Sequence, residues 1–249
     1  MDMVTIALVA AMLVGATLQR IAGMGFAMVV APLALLLLPG QEGVVLANVW
    51  GMVASLILIW PVRKDVEWPK VSVLVSTSLV GALLGAVVIR ALDASTFKIV
   101  VGLILIVAIL VSLVIAGTSW MAKLWPATTM AGTGTGMLIT MSGIGGPVMT
   151  VYSVVTRWEH RKFAASMQPF VAVVSGIGAV AALLASPGSF PTFALPEWSL
   201  MAAALLAGLF GARYLEPFIT PKAGRIIVVI LGLLGAVSAV ISGIGMRTA

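Results

Sequence analysis

Gly15-Ala-Thr-Leu-Gln19-Arg20-Ile-Ala-Gly23-Met24-Gly25-Phe26-Ala-Met-Val-Val-Ala-Pro32 is an apolar segment broken by glycine. A second such segment reads Gly136-Met-Leu-Ile-Thr140-Met-Ser142-Gly143-Ile144-Gly145-Gly146-Pro147. A shift of about 120 residues lays Gly23-Met24-Gly25 on Gly143-Ile144-Gly145 and carries Asn48 onto Gln168, Trp50 onto Phe170 and Ser55 onto Ser175. Glycine-interrupted apolar segments at corresponding positions of two halves point to the binding site of a transporter.

Composition agrees. Of the 249 residues 61% are hydrophobic and 9% charged, with a mean hydropathy of +1.21. A soluble domain carries roughly 25% charged residues, and apolar stretches near the ~20 residues that cross a bilayer recur along the whole chain. Residues 1–249 therefore read as a single integral membrane domain, with the lipid bilayer as its solvent. The net charge of +6 comes from short loops, and no basic run carries interleaved aromatics, so nucleic acid is not an expected partner. With no cysteine, disulfides and thiolate metal sites are excluded. Met1-Asp2 lacks the positive n-region of a cleavable signal, and the first apolar segment is read as part of the mature protein.

The apolar segments fall at 3–18, 26–38, 43–62, 71–90, 97–116, 124–141, 147–156, 164–186, 197–213 and 226–245. The pieces beside each glycine tip are shorter than, or interrupted within, a normal span, so 3–38 and 124–156 read as helix–break–helix hairpins, re-entrant or crossing. Three ordinary spans follow each. The expected fold is an all-α membrane protein of two repeats, 1–117 and 122–249.

Charge gives the orientation. Loops 63–70, 117–124, 157–162 and 213–225 hold ten basic residues, against three in the other set, Arg90, Lys98 and Arg247. The positive-inside rule makes the first set cytoplasmic. Loop 63–70 is basic, while its counterpart 187–197 has no Lys or Arg. Equivalent loops thus lie on opposite sides, the repeats are inverted and both termini lie outside. Trp60, Trp68, Trp120, Trp125, Trp158 and Trp198 flank span ends as interfacial anchors. Gly81 with Gly85, and Gly208 with Gly211, read as small-residue packing faces.

Hairpins entering from opposite faces bring their tips together near the midplane, where broken backbone must be buried in protein or line a cavity. New helices begin near Phe26 and at Pro147, and proline suits a first helical position. Helix N-termini offer free N–H groups and about half a positive charge each, so two that converge make an anion site. The same glycines also read as turn and packing devices only. Arg20, deep in an apolar segment, costs about 2.5–3.5 kcal/mol at a helix centre. It is assigned to an anionic substrate, or else to stabilising the hairpin. Gln19, Asn48 and Gln168 are read as substrate donors or as interhelical hydrogen bonds. The substrate-binding set is thus Arg20, Gln19, Gly23, Gly25, Asn48, Ser142, Gly143, Gly145, Gly146, Pro147 and Gln168, with Thr140, Thr150 and Tyr152 as weaker members. Thr133 and Thr135 are assigned to packing, and His160 to a solvated loop. No catalytic constellation, metal site or cofactor motif is present, so the chain is not read as an enzyme.

Gln19 before Gly23-Met24-Gly25-Phe26 and Pro32 resembles the N-terminal signature of the TauE/SafE family of sulfite and organosulfonate exporters. Gly143-Ile144-Gly145-Gly146-Pro147 is similar to the start of that family's second repeat. The resemblance covers essentially the full chain. It implies transport of a small sulfur-containing anion, such as sulfite or a sulfonate, across a bacterial inner membrane, with a homodimer as a further assembly to test. Expelling one negative charge against an inside-negative potential gains about 2.3 kcal/mol per 100 mV, which favours export without a coupled ion. An importer of small organic anions, an anion-selective channel and a non-transporting membrane subunit stand as alternatives.

Overall fold

Asp2 opens the first helix by accepting the Thr5 amide at 2.8 Å, and this bond holds its carboxyl below the usual range. The computed structural model describes residues 2–23, 25–39, 41–116, 123–215 and 221–248. In the first half it contains α1 (Met3–Ala22), α2 (Phe26–Leu37), α3 (Glu42–Val62), a 3-10 turn (Arg63–Asp65), α4 (Trp68–Ala91) and α5 (Ala94–Ala116). The second half repeats the order: α6 (Leu124–Ser142), α7 (Gly146–Val155), α8 (His160–Ala185), α9 (Leu195–Leu215) and α10 (Pro221–Thr248). Among the described residues there is no strand. Met24, Trp120 and Glu216 lie outside the described residues.

Among the described residues, seven helices are long and apolar enough to cross a membrane: α1, α3, α4, α5, α8, α9 and Val229–Met246 of α10. The protein is a multi-pass membrane protein. Helices α2 and α7 have 12 and 10 residues, about 18 and 15 Å at 1.5 Å per residue, half a bilayer core. The hairpins are therefore unequal-armed. Gly15 does not interrupt α1. A Cβ there would lie 3.1 Å from the Phe26 carbonyl oxygen, so Gly15 lets α2 approach α1. The helix runs on through Gln19 and Arg20, which occupy its last turn.

Part of the helix pairing is kept when the halves are exchanged, although the packing of α4 on α8, of α2 on α3 and of α6 on α8 has no counterpart of similar extent. Helix α1 packs on α9 and α6 on α4; α2 packs on α10 and α7 on α5; α3 meets α8 and α5 meets α10. The α4–α6 contact is backbone on backbone. A Cβ at Gly81 would land on the Thr133 carbonyl oxygen, one at Gly136 on that of Ser78, and one at Gly85 2.9 Å from that of Met137. Gly208 lies against Leu13 of α1, but nothing lies within 4 Å of a Cβ at Gly211. The second small-residue face is therefore Gly208 alone.

Polar contacts gather at two ends. At one, Arg161 pairs with Asp65 at 2.9 Å, the Glu67 amide donates to Ser166 Oγ at 2.9 Å, and Lys70 lies between Glu67 and the Trp158 ring. Burial raises the Glu67 carboxyl, but the hydrogen bond and charge of Lys70 leave it lowered on balance. At the other, Thr5 Oγ1 donates to Glu197 at 2.8 Å, Arg90 to the Leu184 carbonyl at 2.6 Å and Ser95 Oγ to the Gly243 carbonyl at 2.7 Å. Trp60, Trp68 and Trp125 are exposed, as interfacial anchors should be. Trp158 is not an anchor. Arg157, at a φ of 49°, turns the chain inward after α7, and Trp158 is buried edge-on between Tyr152 and Phe163. Trp198 packs with Trp50, Phe190 and Phe193.

Overpacking a tight contact costs about 1–3 kcal/mol. Gly81→Ala and Gly136→Ala should each lower the unfolding temperature of the purified protein, measured by intrinsic fluorescence, while Gly211→Ala should leave it unchanged.

Candidate functional site

The long arm of each hairpin ends on a left-handed glycine, Gly23 at a φ of 76° and Gly143 at 75°. A side chain is excluded there by both backbone and neighbour. A Cβ on Gly23 would lie 2.9 Å from the Ala164 methyl, and one on Gly143 3.1 Å from that of Ala47. Ala164 belongs to α8 and Ala47 to α3. Each tip is thus seated on the first full span of the other half.

Side chains from the opposite half donate to a carbonyl at or near each tip. Asn48 on α3 donates Nδ2 to the Ile139 carbonyl at 3.0 Å. Gln168, its counterpart on α8, donates Nε2 to the Gly23 carbonyl at 3.0 Å and to the Ala164 carbonyl at 3.2 Å. Ile139 also accepts the Gly143 amide at 2.8 Å, the usual closure of a left-handed helix end. Ser142 Oγ donates to the Leu138 carbonyl and accepts the Ile144 amide. These bonds occupy the negative helix ends.

The positive ends face a shared space. In α2 the first amide to bond back is that of Val29, to Gly25; in α7 it is that of Met149, to Gly145. The amides before them have no intrahelical acceptor. Between these helix starts is a cavity of about 40 Å³, room for about three waters at 10–15 Å³ each. Gln19, Gly23, Gly25, Gly143, Gly145, Gly146 and Gln168 wall it. Gln19 donates Nε2 to Ser55 Oγ at 3.0 Å and reaches Gln168 Oε1 at 3.5 Å, linking the halves.

Four expected members do not wall the cavity: Arg20, Asn48, Ser142 and Pro147. Asn48 and Ser142 are occupied with backbone at the tips. Pro147 sits in the first turn of α7, where it removes one amide donor. Arg20 is half-buried in the last turn of α1, where a cation offsets the negative helix end. Of the weaker members, Tyr152 shares a 2.8 Å hydrogen bond with Thr128, and Thr140 lies against the position of a Gly85 side chain. Neither walls the cavity, nor does Thr150. His160 is the exposed first residue of α8.

Two hydroxyls in the wall were not among the expected residues. Thr135 is 1% exposed and its Oγ1 has no partner, yet it walls the cavity, as does Ser175. The packing assigned to the Gly132–Gly136 run falls to its glycines and to Thr133, which donates to the Thr77 carbonyl at 3.3 Å. The repeat correspondence of Ser55 with Ser175 was a usable signal. For Thr135 it was the helical period: Thr135 stands one turn before Ile139, on the face that reaches the tip.

The model of the sulfite exporter TauE/SafE family matches residues 7–239; its members are membrane transporters, not enzymes. No curated protein and no solved structure matches the chain.

Leaving a buried acceptor unpaired costs about 1–3 kcal/mol. Gln168→Leu should therefore lower the unfolding temperature of the purified protein. An unchanged temperature would mean that the Gly23 carbonyl finds another donor.

Proposed function

The chain belongs to the TauE/SafE sulfite exporter family, and from that premise we propose that it binds a small sulfur oxyanion between its two glycine tips and exports it. The observation that carries this reading is the convergence of two helix N-termini on one cavity. Each supplies unpaired amides and about half a positive charge. Gln19, Gln168, Thr135 and Ser175 add neutral side-chain polar groups to orient oxygen atoms. In this reading Arg20 acts through α1, offsetting its negative end, and Asn48 acts by holding the second tip. Sulfite and short sulfonates suit the cavity volume.

Two inverted repeats, 1–117 and 122–249, are part of the proposal. Support comes from the end contacts. The Thr5–Glu197 bond puts the start of α1 at the end shared with Arg90 and Ser95. Tyr152 and Trp158 put the far end of α7 beside Lys70 and Phe163, at the other. Hairpins entering from opposite ends follow, with the basic end cytoplasmic and the termini outside. Alternating access then moves hairpin units about a fixed midplane site. The membrane potential drives an anion outward by about 2.3 kcal/mol per charge per 100 mV.

Reconstituted into liposomes, the protein should take up radiolabelled sulfite saturably and faster when unlabelled sulfite is preloaded. Gly146→Val, whose side chain enters the space beside Met28 Sδ at 3.2 Å, should abolish most of that flux. Flux linear in concentration with unitary currents would replace the transporter by a channel, and no anion flux at all would overturn the reading.

A further inference from the structure

Among the described residues, the wall of the cavity contains no Lys, Arg, His, Asp or Glu. Helices α1, α2, α3, α6, α7 and α8 build it, and α2 and α6 carry no ionisable residue. On the others these residues stand away from the tips. Glu42 opens α3, nine residues before Gly51; His160, Arg161 and Lys162 open α8, at least six before Gln168. Tyr152 has its hydroxyl bonded to Thr128. Arg20 is the charge nearest the tips along the chain, and it sits at the negative end of α1. Gln168 donates to the Gly23 carbonyl at the first tip, and Asn48 to the Ile139 carbonyl one turn before the second.

Two helix N-termini of about half a charge each give the site roughly one positive charge. An anion with two charges would keep one of them buried and uncompensated, which low-dielectric surroundings disfavour. A second observation concerns Thr135. Its hydroxyl is buried and has no partner, the residue walls the cavity, and a hydroxyl both donates and accepts. It can accept the acid proton of a singly charged oxyanion, or donate to an oxygen of a sulfonate.

We infer that the site takes its substrate as a monoanion, hydrogen sulfite or a sulfonate, and that Thr135 is a specificity-determining residue for that form. The inference rests on the anion-site reading above and adds the valence. It makes each transported molecule carry one charge.

The test measures binding by calorimetry on the detergent-purified full chain. Methanesulfonate and sulfate have the same tetrahedral shape and number of heavy atoms but differ by one charge. Methanesulfonate should bind at least about tenfold more tightly. Sulfite, measured on either side of its second ionisation, should bind in proportion to its singly charged fraction, with methanesulfonate at both pH values as the control for titration of the protein. Thr135→Val should weaken hydrogen sulfite by about tenfold or more, and Thr135→Ser should restore it. Sulfate binding as tightly as methanesulfonate, or sulfite binding better once doubly charged, overturns the valence inference and leaves the anion site standing. No binding by any of these anions overturns both. Undiminished affinity in Thr135→Val overturns the role of that residue.

Discussion

Broken backbone at membrane depth has no water to satisfy its N–H and C=O groups, so protein must do it. This constraint organises the molecule. Gly23 and Gly143 are forced apart from their own spans and onto the other half's, where Ala164 and Ala47 leave room for no side chain. Gln168 then reaches across to the Gly23 carbonyl at the first break, and Asn48 to the Ile139 carbonyl one turn before the second. Neither hairpin can be completed by its own half. The same bonds explain why the cavity presents donors: carbonyl ends are capped by amide side chains, while the amide ends of α2 and α7 face the space between.

Much of this was legible in the sequence because it depends on residue types that have few alternatives. A left-handed turn selects glycine, so the paired Gly-x-Gly segments marked the tips and the Asn48–Gln168 correspondence marked their partners. What was not legible depended on direction around a helix. Trp158 sits at a span end like Trp60 and Trp68, yet the turn at Arg157 aims it inward. Gly208 and Gly211 share a stretch, but three residues of helical rotation put only the first against α1. Thr133 and Thr135 look equivalent in Gly132-Thr-Gly-Thr-Gly136; one faces α4 and the other the cavity. Arg20 was readable as costly but not as peripheral to the wall, since an arginine one residue from Gln19 points about 100° around the helix.

The two tips are chemically unequal, and the inequality has a physical consequence. Pro147 removes an amide from the start of α7, whereas α2 begins with Phe26 and keeps all of its first-turn donors. Met28 packs against this tip, with its sulfur 3.2 Å from a Cβ position on Gly146 and its methyl 3.2 Å from one on Gly232 of α10. A thioether side chain adapts to irregular gaps. The contact between the first hairpin and the second tip is therefore soft where the contacts of the same hairpins with α9 and α4 are close.

In the proposed cycle this difference decides where movement is possible. Helix α6 is locked to α4 through Gly81, Gly85, Gly132 and Gly136, and α1 to α9 through Gly208. Backbone-on-backbone contacts of that kind tolerate little sliding. Each hairpin should then move with its α4 or α9 partner as a rigid unit. The surfaces left to shear are those between the tips and the opposite spans, crossed by Asn48–Ile139, Gln168–Gly23 and Gln19–Gln168. Those few buried hydrogen bonds, each worth about 0.5–1.5 kcal/mol net, hold the site closed. An arriving anion competes for the polar groups at the same tips, so occupancy of the cavity and release of the hairpins act on one set of atoms.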